Sequence, residues 1–225
     1  MSNSYEESFS RGRTISLRKY NAIIGIVLFY GFAMNAVMVK YFAEYFSGLP
    51  AGAVIVGYFV TAIIGILMSK LSDNPFVSFI GYNLVVIPVG VILAITIHVE
   101  GFSAAQIIHA AGLTAFFTVA MMIGSMIWSN FFLKLGRVLF FGLTAIIVVE
   151  VVCLVTGIFL PTIWDILVAA VFCGYVGYDW VKAQEDLHTT DNAIDACVGL
   201  YLDIINIFIR LLSASSSSSK SSRRN

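Results

Sequence analysis

Seven stretches of mostly apolar residues follow one another along this chain, at 20–42, 52–71, 75–98, 104–128, 136–159, 162–181 and 193–212. A helix needs about 20 such residues to cross the hydrocarbon of a bilayer. In that medium every backbone N–H and C=O must be bonded within its own segment, so runs of this kind specify α-helices. The expectation is an all-α, polytopic membrane protein, a seven-transmembrane-helix bundle over 20–212. A polar head, 1–19, precedes it, and a disordered, serine-rich basic tail, 213–225, follows. Short connections argue for one antiparallel bundle rather than separable domains. Composition agrees: 59% of the 225 residues are hydrophobic and only 12% charged, about half the charge that covers a soluble domain.

Within the runs, Gly57 and Gly65, Gly112 and Ala115, and Gly174 and Gly177 are small residues of the kind that let helix backbones approach closely in lipid. Pro88 falls inside the third run, where neighbouring helices can satisfy the carbonyl it frees. The first run is too long for the core of a cleavable signal peptide, so none is expected. Lys plus Arg and Asp plus Glu balance at 13 each, which gives no reason to expect a nucleic-acid partner. Cys153, Cys173 and Cys197 all lie in apolar runs and read as buried small hydrophobes, not as a disulfide framework or a metal cluster. With the head inside, Arg11, Arg13, Arg18, Lys19, Lys70, Lys134, Arg137 and Lys182 fall on the inner side, against Lys40 outside, an inner bias through six helices. A seventh full span exports Arg210, Lys220, Arg223 and Arg224; a seventh segment that dips in and returns would not. The run is long enough to span.

Ionisable side chains at membrane depth cost roughly 2.5–3.5 kcal/mol each at a helix centre, so they face protein or water and mark pathways or switches. Asp179, in Gly-Tyr-Val-Gly-Tyr-Asp, lies about 10 Å from the inner end of the sixth helix at 1.5 Å per residue. Asp203, in Tyr-Leu-Asp-Ile-Ile-Asn, lies roughly 15 Å into the antiparallel seventh by the same rise. Similar depth on neighbouring helices puts both in one site; separate polar packing contacts are the alternative. Two close carboxyls cannot both ionise cheaply, and their protons belong to the pair. Sharing one proton ties two helices; losing it leaves two charges that repel each other and attract a cation. Such a latch responds to pH and to calcium, whose ligands are oxygens.

Asn206 shares the face of Asp203, and Tyr178 and Tyr201 are further possible donors to the pair. Glu150, mid-run in Val-Val-Glu-Val-Val, is a third acidic candidate, or else a protonated, hydrogen-bonded acid. Asp191 and Asp195 open the seventh helix, where capping and the helix dipole explain acids. Asn35 and Asn83 read as interhelical hydrogen bonders. Lys70 reads as a snorkelling end residue or a partner for the aspartates. His98, His109 and His188 lack ligand spacing, which weighs against a zinc hydrolase.

The stretch 199–212, Gly-Leu-Tyr-Leu-Asp-Ile-Ile-Asn-Ile-Phe-Ile-Arg-Leu-Leu, resembles the last helix of the transmembrane Bax-inhibitor-motif family, and Gly177-Tyr178-Asp179 looks like that family's sixth-helix aspartate. Phe-Val-Ser-Phe-Ile-Gly-Tyr-Asn at 76–83 looks like the form in bacterial members. The resemblance implies a seven-helix bundle with the last helix central, and a pH-dependent calcium leak with Asp179 and Asp203 as sensor, gate and possible calcium ligands. In eukaryotes the family is associated with suppression of cell death. Members can carry a basic second-helix residue that pairs with the sensor; here the second run holds no arginine, only Lys70 at its edge.

The leading expectation is therefore a non-enzymatic, pH-sensitive calcium or cation leak channel in a bacterial plasma membrane, with the bilayer and the permeant ion as partners and no bound cofactor. A proton-coupled transporter and a non-conducting membrane scaffold are alternatives. An intramembrane aspartyl protease fits less well: a Gly-x-Gly-Asp element is replaced by Tyr201-Leu202-Asp203.

Overall fold

The computed structural model describes residues 13–222. The elements are α1 (Leu17–Ser47), α2 (Ala51–Leu71), α3 (Pro75–Glu100), α4 (Ala104–Ile127), α5 (Ser129–Thr156), α6 (Thr162–Glu185) and α7 (Thr190–Ser222). All seven are long and apolar enough to cross a membrane. Among the described residues the one non-helical pairing is an isolated bridge between Thr14 and Thr189. The chain is an all-α polytopic membrane protein, as its runs require.

Local chemistry sets the helix ends. Ser16 caps α1 by accepting from the Lys19 amide, and Ser103 and Gln106 form a reciprocal capping box on α4. Asn74 caps α3 ahead of Pro75, whose missing N–H costs nothing at a helix start. Gly101 and Gly157 close α3 and α5 with φ of 67° and 71°, a conformation open to glycine without strain.

Two boundaries differ from the sequence reading. α5 starts at Ser129, not near Gly136, with only Trp128 between it and α4. Nothing in Ser-Asn-Phe-Phe-Leu-Lys-Leu breaks a helix, so polarity there marks the membrane edge and not the helix end. The serine-rich stretch, expected as a loose tail, continues α7 to Ser222; extending an established helix costs far less than starting one. Arg11, Arg223, Arg224 and most of the polar head lie outside the described residues. An unbroken 33-residue α7 leaves no turn for a segment that dips in and returns.

Contacts fall into two compact units: the chain through Gly101 with Ala183–Tyr201, and Phe102–Lys182 with the chain from Leu202. In the first unit, Gly65 of α2 and Gly81 of α3 face each other so closely that a Cβ on either would meet the other's carbonyl oxygen. Gly31 and Gly90 give similar room to Tyr82 and to Asn35 with Met38. The interior is filled by Tyr20, Ile24, Tyr82, Val85, Leu200 and Tyr201, all essentially inaccessible. Its polar atoms are largely paired: Asn35 donates to the Tyr201 hydroxyl, Tyr82 to the Val27 carbonyl at 3.1 Å, and Tyr30 to Asn83 at 2.8 Å.

In the second unit, Gly174 and Gly177 of α6 lie against Leu139 and Phe132 of α5, and Gly136 of α5 lies under the Tyr178 ring. By contrast Gly57 and Gly112, also read as contact residues, have open space where a Cβ would stand. α4 and α5 expose Ile108, Phe116, Ile123, Phe140, Val151 and Val155, apolar surface that suits lipid.

Candidate functional site

The close approach of α6 to α5 at Gly174 and Gly177 fixes the turn of α6 that follows, which carries Asp179. Within the same unit, α7 supplies Asp203, which is only 6% exposed. The two carboxyl groups are hydrogen-bonded to each other. No protein N–H or O–H among the described residues reaches the buried Oδ2 of Asp203. Carboxylate oxygens only accept, so a bond between two carboxyls requires a proton on one of them. Two carboxyl groups placed this way in an apolar segment form an arrangement that can share a proton.

The remaining sequence candidates are distributed elsewhere. Asn206 turns its amide back to the Leu202 carbonyl at 2.7 Å, a bond within its own helix. The Tyr201 hydroxyl is taken by Asn35 in the first unit. Tyr178 lies against Gly136, with the Lys182 ammonium 5.6 Å from its ring centre, a cation–π contact. Tyr175, one turn before Asp179, is the tyrosine in the electrostatic field of both aspartates; its i−4 relation to Asp179 was the available signal. Lys70 is exposed in the last turn of α2.

Asp191 and Asp195 do more than start α7. Thr189 caps the helix by accepting from the Asn192 amide at 3.1 Å, which leaves the acids free for tertiary bonds. The Ser78 hydroxyl donates to Asp191 at 2.8 Å, and the Ser69 hydroxyl donates to the Ser78 carbonyl at 3.3 Å, both beside Asp195. Serines carry no sequence pattern that announces such a role.

Glu150 has charged company rather than the lone protonated form considered from sequence. Arg210 of α7 reaches Glu150 of α5 at 2.5 Å and Asp165 of α6 at 3.2 Å. The Trp164 indole N–H also donates to Glu150 at 3.2 Å. Arg210 had been counted only as a tail charge, and Asp165 not at all. Opposite charges 45 and 60 residues apart in sequence leave no local trace.

Among the described residues no three or more His, Cys, Asp or Glu side chains converge as a metal site. Calcium takes roughly six to eight oxygens, more than Asp179 and Asp203 alone supply.

Seven helices long and apolar enough to cross a membrane, with the Asp179 carboxyl beside the buried Asp203 on the last two, define a polytopic integral membrane protein with paired acids at membrane depth. The family model described as inhibitor of apoptosis-promoting Bax1 matches residues 13–220, and the chain belongs to that family. It is similar to an uncharacterized protein of Helicobacter pylori, 29% identical over 160 residues, covering 68% of this chain and 66% of that one. Protein LIFEGUARD 3 of Arabidopsis thaliana is 41% identical over 80 residues, 35% of this chain and 32% of its own length. LIFEGUARD 2 of the same plant is 44% identical over 50 residues, 22% and 20% of the two chains. The match thus spans just under two thirds of the Helicobacter relative.

Proposed function

We propose that this protein is a non-enzymatic cation leak pathway, calcium being the favoured ion, gated by the protonation of Asp179 and Asp203. The observation that carries the reading is the bond from the buried Asp203 carboxyl to Asp179 on the preceding helix. With one proton shared, the pair ties α6 to α7. Raising the pH removes that proton, the two charges repel, and the separated carboxylates present oxygens to a cation. Flux therefore rises with pH. A bacterial plasma membrane is the proposed location, in keeping with the Helicobacter relative.

The test uses purified protein in liposomes loaded with a calcium indicator. Wild-type flux should climb as pH rises. Asp203→Asn replaces the shared proton by a permanent N–H donor to Asp179, so flux should stay low and lose its pH dependence. Equal flux in wild type and variant at every pH would remove the gate. No flux in either would favour a non-conducting scaffold.

A further inference from the structure

Arg210 follows Asp203 by seven residues, which on an α-helix is the same face to within about 20° and about 10 Å further along the axis. Its guanidinium does not point into bulk solvent. It is held across the unit by Glu150 and Asp165, and Glu150 is itself steadied by Trp164. Asp165 is one turn into α6 and Glu150 about two turns from the end of α5. The network therefore sits at the end of the unit where the α5–α6 connection lies. A cavity of about 350 Å³, lined by Glu150, Arg210 and residues 157–160 among others, adjoins it there. The three charged side chains are 21%, 33% and 20% exposed, accessible yet not free.

Two carboxylates against one guanidinium leave this mouth with a net negative charge, which draws cations. Beyond it, the face of α7 that leads to Asp203 begins with a permanent positive charge. We propose that Arg210 is a charge barrier that sets the valence selectivity of cation passage from the α5–α6 side, with Glu150 and Asp165 as the groups that position it. The proposal rests on the cation-leak reading above and assigns it a second, separate control point. Coulomb energy is proportional to the charge of the passing ion. A fixed guanidinium therefore opposes a divalent ion with twice the energy it opposes a monovalent one. Its removal should raise divalent flux by the square of the factor for monovalent flux, for instance about tenfold against about threefold.

The experiment compares calcium and potassium flux in liposomes, at one pH, for wild type, Arg210→Gln, and Arg210→Cys on a Cys153→Ala background. That background is needed because Cys153 lines the same cavity. The cysteine variant is measured before and after modification with a positively charged and with a neutral methanethiosulfonate, so that charge is restored on the same folded sample. Support consists of a larger rise for calcium than for potassium, reversed by the positive adduct and not by the neutral one. Equal rises for both ions, equal action of both reagents, no rise, or failure of both variants to fold would each overturn the barrier and leave Arg210 as a structural tie. Asp203→Asn in parallel separates the two readings. If it alters flux while the Arg210 variants do not, only the barrier fails; if the Arg210 variants behave as described while Asp203→Asn has no effect, only the aspartate gate fails.

Discussion

Asn35 is the most demanding residue of the first unit: an amide only 2% exposed whose N–H is satisfied by the hydroxyl of Tyr201. Tyr201→Phe deletes that hydroxyl and strands the buried donor, at a cost of about 1–3 kcal/mol; thermal unfolding in detergent should report a clear fall in midpoint. Ser78→Ala should act likewise, since it leaves the carboxylate of Asp191, only 4% exposed, without its 2.8 Å donor. A loss of stability within error for both variants would show that these bonds are replaceable by water. At this scale the sequence was legible wherever a residue type clashed with its surroundings. An aspartate in an apolar run announces itself, and counting residues to equal depth sufficed to bring Asp179 and Asp203 together. Arg210 near a helix end clashed with nothing, and its partners, Glu150 and Asp165, lie on other helices. Ser69 and Ser78 are compatible with almost any setting, so the bond from Ser78 to Asp191 and the place of Ser69 beside it stayed hidden.

Among the helices, glycine is what separates close pairs from those lipid can enter. Gly65→Ala and Gly177→Ala each add a methyl where a neighbouring carbonyl or the Phe132 ring already stands. Overpacking of this kind typically costs about 1–3 kcal/mol. Gly57→Ala and Gly112→Ala place theirs in open space and should be neutral, or stabilising by up to about 1 kcal/mol through helix propensity. Reversed ranking in a thermal-stability series would refute the contact map of α2–α3 and α5–α6. All four glycines look alike in sequence, because periodicity alone does not say which side of an all-apolar helix meets protein. Helix ends were legible where a capping residue or a left-handed glycine stood, as at Ser103 and Gly157. At Ser129 the helix begins before the apolar run does, because the change of polarity there is not a change of structure.

At the level of the whole chain, seven helices long and apolar enough to cross a membrane predict that the two ends of the helical region lie on opposite faces of it. Cysteines introduced singly before α1 and after α7, in a background without the native three, should be labelled by an impermeant reagent from opposite sides of sealed vesicles. Labelling of both from one side would mean that one of the seven helices does not cross. The number of spans was legible in the sequence because each run must satisfy its own backbone. The division of contacts into two units was not, since it depends on which turns of α7 meet which helices. That division bears on biosynthesis. Residues 183–201, which supply Asp191, Cys197, Leu200 and Tyr201 to the unit built on α1–α3, leave the ribosome well after those three helices. Until then Asn35 and Ser78 lack Tyr201 and Asp191, and the first three helices wait in the bilayer with an open seam that only residues 183–201 can close.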